Sequence, residues 1–376
     1  MNYDLDASDK ELLDRVTALL NDENLPDPAA LQRVEASTVG SLLRAWLQRL
    51  GPAGYLAAPA GPGLTSARML LAARSPWLAL AVAIGPGLLA DLLARHGSPE
   101  QQQRFLEPLR RGRLVAAVAL SEPRAGSHPD HLATTARRDD GQLVLSGSKS
   151  TVSLAPLADV IAVVAESDGA QALFLIDGGQ AGCVCGSPLD TLGYRQLCTC
   201  PLELRGVRVA PDRVMVPDGR PRGGLLQQVR AGWDAALADV ACGTMRLCLE
   251  QAREAAAVER AGGKPPAGYQ SVRFALAEML TLSQTAELLA LRAAWAGAAA
   301  DRQAASLALC AKVFATENAC RVADLALQIM AAAGYSRDNP VARAVRDSRL
   351  GLIAGHPGQV ARQAIAGEVL QEVELS

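Results

Sequence analysis

The sequence predicts a mostly α-helical α+β protein in three consecutive parts: a helical domain over residues 1–114, a β domain over 115–222 and a helical bundle over 223–376. Three observations predict this order. Apolar residues recur at spacings of three and four in both outer thirds. The middle third breaks into short apolar or alternating runs separated by turn signals. Helical and strand patterns nowhere alternate, which argues against a doubly wound dinucleotide-binding sheet.

The first helical pattern is Leu12-Leu13-Val16-Leu19-Leu20, and Gly51-Pro52 and Gly61-Pro62-Gly63 separate the segments that follow. The most apolar stretch, Trp77 to Ala90, is interrupted by Gly85-Pro86-Gly87 and reads as too short for a membrane span. Ser98-Pro99-Glu100-Gln101 combines an N-cap, a proline at the first helical position and an acid in the first turn, so a helix should run to about Leu109. In the middle third, Val115–Leu120, Gln142–Ser146, Val160–Ala165, Ala172–Ile176, Cys183–Cys185 and Pro201–Leu204 read as strands. Asp139-Asp140-Gly141 and Asp177-Gly178-Gly179 lie between them as turns, and the regular spacing predicts an antiparallel barrel or sandwich. Four long helices follow, at Ala235–Glu259, Gln270–Ala300, Ala304–Ala333 and Val360–Gln371, as in a bundle.

Composition narrows the function. The 376 residues carry a net charge of −2 and only 3% aromatics, which gives no overall field for nucleic acid or anionic membrane and few rings for base stacking. With 49% hydrophobic and 20% charged residues the chain is globular rather than disordered. The acidic, polar start MNYDLDASDKELL does not read as a leader, so a cytoplasmic location is expected. Cys183-x-Cys185 and Cys198-x-Cys200 could suggest zinc, but period-two cysteines share one strand face and zinc sites use wider spacings; reduced, buried thiols are the expectation. His128-x-x-His131 has no cysteine nearby, so no metal is expected.

The β segment opens with Val118-Ala119-Leu120-Ser121-Glu122-Pro123-Arg124-Ala125-Gly126-Ser127 and continues through Asp140-Gly141 to Leu145-Ser146-Gly147-Ser148-Lys149. These stretches resemble the acyl-CoA dehydrogenase family, as do Leu93–Arg113, Leu192-Gly193-Tyr194-Arg195, Gly206-Val207-Arg208-Val209, Gln270–Met279 and Gln328–Asp347, in the family's order along almost the whole chain. The resemblance implies FAD, an acyl thioester of CoA or an acyl carrier protein, and α,β-dehydrogenation: a carboxylate takes the α-proton while the β-hydrogen leaves as hydride. By resemblance Ser121 and Ser153 would bind the flavin, Ser127 would lie near the CoA arm, and Arg260 and Gln328 would serve the FAD of a neighbouring subunit.

The chain departs from the family where the chemistry is done. The family's usual Glu falls at Gly355, which has no side chain, and the next pair is His356-Pro357, with no N–H on the proline. Thr151 stands in place of a Trp beside the flavin, Ala331-Ala332 in place of Gly-Gly, and the stretch Arg260-Ala261-Gly262-Gly263-Lys264 lacks a Phe. Substitute bases would be Asp234, one residue from the place where some members carry their carboxylate (here Trp233), or His356; Asp239 is five positions further along. No catalytic residue is therefore certain. The expectation is a base-lacking subunit in a heteromeric complex with a related catalytic chain. The alternatives are an active atypical flavoenzyme with a relocated base and a flavin-free structural member of the fold.

Overall fold

The computed structural model describes residues 5–22, 35–123, 132–216, 224–258 and 264–371. Helix α1 (Ala7–Leu20) begins where the Asp6 carboxylate accepts the Asp9 N–H at 2.8 Å. Helices α2 (Ala36–Leu50) and α3 (Pro62–Arg74) follow. Gly85-Pro86-Gly87, expected to interrupt the next segment, does not end it. Helix α4 (Pro76–Val82) passes through a π turn (Ala83–Gly87) into α5 (Leu88–His96), forming one continuous rod. The wider turn absorbs the hydrogen bond that Pro86 cannot make. Gly85 lets the rod lie against the sheet, since a Cβ there would come within 2.4 Å of the Ala116 carbonyl. The rod, Pro76–His96, is as apolar as a membrane span, but 83% of its apolar window is buried within the protein, which marks it as a core helix. Helix α6 (Pro99–Gln101) opens with the expected Ser98 cap, here a full capping box with Gln101, and runs through a second π turn into α7 (Glu107–Arg110).

The middle domain has strands β1 (Ala116–Ala119), β2 (Thr135–Asp139), β3 (Gln142–Val152), β4 (Val160–Ser167), β5 (Ala170–Asp177), β6 (Cys183–Cys185), β7 (Cys200–Val209) and β8 (Val214–Met215). They form one eight-stranded sheet in the order β6-β7-β3-β2-β4-β5-β8, with β1 on β4. The expected antiparallel barrel needs correction on two points: the described pairings do not close a ring, and both β1 and β2 run parallel to β4. Parallel pairing needs a crossover connection, and here β2 and β3 lie in the chain between β1 and β4, and β3 in the chain between β2 and β4. β4 is buried along its first six residues, which explains why its sequence reads as a continuous apolar run and not as an alternation.

The last part is built on α8 (Gly224–Ala257), α9 (Gln270–Ala298) and α10 (Ala304–Met330), followed by α11 (Ala332–Tyr335), α12 (Pro340–Asp347), α13 (Leu350–Ile353) and α14 (Gly358–Gln371), which packs on α10. Alanine fills the contact between the three long helices, at Ala252, Ala286, Ala315 and Ala323, and lets them approach closely. Two lysines are fully buried. Lys149 is paired with Glu122 at 2.7 Å, and Lys312 donates to the His356 carbonyl at 2.5 Å. Burial pulls the pKa of both lysines down. Burial would raise Glu122, but the Lys149 ammonium and the Ala133 and Thr134 N–H groups outweigh it and hold the carboxyl below its usual range.

Candidate active site

A cavity of about 530 Å³ opens where the end of β1, the end of β3 and the loop 189–199 face α8, α12 and α13. Apolar walls come from Val118, Leu120, Leu226, Trp233, Leu350 and Ile353. Hydroxyl groups line the sheet side at Ser121, Thr151, Ser153, Thr191 and Thr199, and the Ser153 and Thr199 hydroxyls share a hydrogen bond of 3.0 Å. On the helical side stand Arg230, Arg346 and Arg349. No Asp, Glu, His or Lys is among the described residues that line the space.

The sheet side is fixed to the helical side by one buried carboxylate. Asp347, the last residue of α12, accepts the Tyr194 N–H at 2.6 Å. Gly193 makes this approach possible, because a Cβ there would lie 2.5 Å from the Asp347 carboxylate. Burial raises the Asp347 pKa to about 6, against the opposing effect of the Tyr194 N–H. Two stretches recognised separately in the sequence, Leu192-Gly193-Tyr194-Arg195 and Arg346-Asp347, thus meet at the cavity mouth.

Gly355 lies in the cavity wall at φ 64°, the left-handed region that glycine enters freely. A Cβ at Gly355 would stand 2.2 Å from an Asp234 oxygen, so a side chain at 355 and Asp234 in its present place are sterically incompatible. Asp234 is buried and fully engaged: one oxygen accepts the His356 backbone N–H at 2.8 Å, and the other lies 2.5 Å from His356 Nδ1. With Lys312 on the His356 carbonyl, these contacts form a latch that holds the loop after α13. Neither Asp234 nor His356 is among the residues lining the cavity; they meet each other behind its wall.

Asp239 lies on another face of α8, paired with Arg68 at 3.2 Å and Thr65 at 3.3 Å, and burial raises its pKa to about 6. Helical rotation of 100° per residue accounts for the separation: Leu226, Arg230 and Trp233 face the cavity, whereas Asp239 faces away.

Ser121, Ser153, Thr151 and Gly355 are therefore brought together, as the sequence suggested. Gln328 is not among the residues that line the cavity; it is exposed near the end of α10, three residues before Ala331. Ser127, Arg260, His128 and His131 lie outside the described residues. Sequence reasoning missed Arg230 and Arg349 as cavity residues. A lone arginine on a helix carries no local signal, and only the packing of α8 against α13 shows that the two share a space.

The four cysteines of the two C-x-C pairs are free thiols on β6 and on or near β7, and no group of metal-binding side chains occurs among the described residues. Of these thiols, Cys185 is half-buried and its contact with Cys200 lowers its pKa to about 7.

Comparison with known proteins accounts for this arrangement. Residues 117–207 match the middle domain of acyl-CoA dehydrogenases and residues 235–370 match their C-terminal domain. The chain is 32% identical to benzylmalonyl-CoA dehydrogenase of Aromatoleum aromaticum, over 98% of this chain and all of that protein. It is 31% identical to the 3-(aryl)acrylate reductase of Clostridium sporogenes, over 73% of this chain and 74% of that one. Butyryl-CoA dehydrogenase of Megasphaera elsdenii superposes with a TM-score of 0.86 at 25% identity, covering 98% of this chain and all of that one. Sequence, domain order and fold agree: the chain belongs to the acyl-CoA dehydrogenase family.

Proposed function

We propose that this chain is a flavoprotein acting on an acyl thioester, of CoA or of a carrier protein, and that its own cavity supplies no base for the α-proton. One observation carries the reading. The cavity has a hydroxyl-lined wall, Gly355 in that wall carries no side chain, and no Asp, Glu, His or Lys is among the described residues that line the space.

The donor set suits the ring of a flavin. A flat heteroaromatic with a polar edge needs hydroxyl partners on one side and apolar walls on its faces, and Ser121, Ser153, Val118, Leu120 and Trp233 offer these. When bound, the flavin supplies the hydride acceptor. The chain's own residues then have three tasks. Ser121 and Ser153 hydrogen-bond the ring edge, the apolar wall excludes water, and the arginines hold negative charge on the substrate or cofactor.

Purified protein incubated with FAD is expected to show flavin absorbance after gel filtration. It is not expected to reduce an artificial acceptor with butyryl-CoA or octanoyl-CoA. Turnover of either plain saturated thioester would overturn the reading.

The exposed apolar residues of α9 favour a second reading, in which a related chain carrying the glutamate completes a heteromeric enzyme. Gln328 and Arg260 would then serve the partner's FAD. Under that reading turnover of saturated acyl-CoA appears only when the two chains are co-purified, and Arg260→Ala loosens FAD in the complex by one to two decades on dialysis, as expected for about 1.5–3 kcal/mol per charge-assisted contact.

A further inference from the structure

A second cavity, of about 660 Å³, lies on another side of α8, enclosed by α8, the facing ends of α9 and α10, α3, the rod Pro76–His96 and the turn Tyr55–Ala57. No residue lines both spaces: Leu226, Arg230 and Trp233 face the first, and Gln228, Ala235 and Asp239 face the second. Gln228 and Asp239 are eleven positions apart, so the cavity follows α8 for about 16 Å. Most of the wall between them is small and apolar, as at Ala235, Ala238, Ala294 and Ala308. The outer end lies beside Gln228, which meets His96 at 2.6 Å, and the neighbouring Asp91 and Arg95 are about half exposed.

The inner end is buried, and its free polar groups are donors. The Asp239 carboxylate accepts from Arg68 and Thr65. Tyr55 is only 3% exposed; its hydroxyl lies beside Arg68 and Asp239 but has no hydrogen-bond partner among the described residues, and neither has Arg68 Nε. Burial raises the Tyr55 pKa, so the hydroxyl keeps its proton and stands as a donor. Arg110 ends α7, which packs on the turn Tyr55–Ala57, and lines the cavity half-buried. Among the charges on the lining, Arg68 is met by Asp239 at 3.2 Å and Arg95 by Asp91 at 2.9 Å, whereas Arg110 has no ion pair among the described residues. Buried donors without acceptors cost free energy until an acceptor arrives.

We propose that this cavity is a second binding site, separate from the flavin and thioester site, for a linear apolar monocarboxylate. Its carboxylate accepts from Tyr55 Oη, Arg68 Nε and Arg110 at the inner end, and its alkyl stem lies along the alanine wall of α8. A carboxylate has acceptor positions enough for three donors, and it brings the one negative charge that Arg110 lacks. Along the alanines, water would find few hydrogen-bond partners, whereas an alkyl stem gains from leaving water.

The test is calorimetric titration of the purified protein with dodecanoate and with dodecan-1-ol, which share the alkyl stem and differ in the head group. Dodecanoate is expected to bind about ten-fold or more tightly. Arg110→Gln should weaken dodecanoate by about ten- to hundred-fold and leave dodecan-1-ol unchanged. Tyr55→Phe removes one oxygen and should weaken dodecanoate by about ten-fold. Its urea midpoint without ligand should be no lower than that of wild type, because the hydroxyl has no partner to lose. Ala235→Trp fills the cavity and should abolish binding of both compounds; if that variant does not fold, Arg110→Gln and Tyr55→Phe decide. Saturating butyryl-CoA should leave dodecanoate binding unchanged. Competition between the two would place the acid in the first cavity and overturn the proposal. Equal affinity for acid and alcohol overturns it too, as does dodecanoate binding that neither Arg110→Gln nor Tyr55→Phe weakens. No binding of dodecanoate to wild type at millimolar concentration also overturns it, and leaves the flavoprotein reading untouched.

Discussion

Ala331 has φ 54° and ψ −133°, a backbone state that a residue with a Cβ seldom occupies. The Cβ of Ala331 therefore stores strain at an exposed helix end. Ala331→Gly is expected to stabilise the fold by about 1 kcal/mol, read as a higher midpoint in urea. The converse holds at Gly355, where positive φ and the 2.2 Å approach to Asp234 act together. Gly355→Ala should cost about 2 kcal/mol or more in the same assay. Asp347 gives a pH signature. Its pKa is about 6 in the folded chain against 3.8 for the free residue, so the folded state binds the proton more tightly. Its favourable contribution is fully present below about pH 4 and is lost as pH rises through 6. In Asp347→Asn the stability curve between pH 4 and 6 should be flatter than in wild type, by on the order of 2 kcal/mol. Asp239 titrates over the same window in both proteins, so part of the slope will remain.

Helices with a regular apolar period were legible in the sequence: α9 and α10 start where expected and end within three residues of the reading. Local chemistry was legible too, as at the Ser98 cap. Elements whose form depends on distant partners were not. The rod Pro76–His96 passes through Gly85-Pro86-Gly87 because the sheet and α8 enclose it, and no local rule reports that enclosure. Parallel pairing of β1 with β4 likewise depends on residues 44 positions apart, as Ala116 with Val160. In the site, Gly355 could be singled out from the sequence, whereas the latch of Asp234, His356 and Lys312 beside it required distant segments to be assembled. Asp234→Ala would leave Lys312 buried without its nearby counter-charge and release the loop after α13. Breaking a buried ionic network of this kind costs about 3–5 kcal/mol, so the variant should unfold at clearly lower denaturant. Asp234→Asn keeps an acceptor for the His356 N–H and should lose less.

At the scale of the molecule, α9 is the element the chain leaves unfinished. It is apolar enough to cross a membrane by length and composition, yet only 28% of its apolar window is buried within the chain. Only six of its 29 residues are buried, and four of those six are Met279, Ala286, Ala290 and Ala296, which face the neighbouring helices. Phe274 and Leu288 are 64% and 58% exposed and lie four turns apart on one helix face. Two large apolar side chains on one solvent-facing line, on a helix whose opposite side is already packed, predict a surface suited to cover by another subunit. Burying each is worth about 1.5–3 kcal/mol, and in a symmetric contact every residue counts twice. The double substitution Phe274→Glu with Leu288→Glu should therefore weaken association by several decades while leaving the bundle core intact. Sedimentation velocity will show wild type as a multiple of the monomer and the variant as a folded monomer with unchanged far-ultraviolet dichroism. A wild type that sediments as a monomer at micromolar concentration would assign α9 to contact with a different chain, and co-purification with a family partner would then have to restore the larger species.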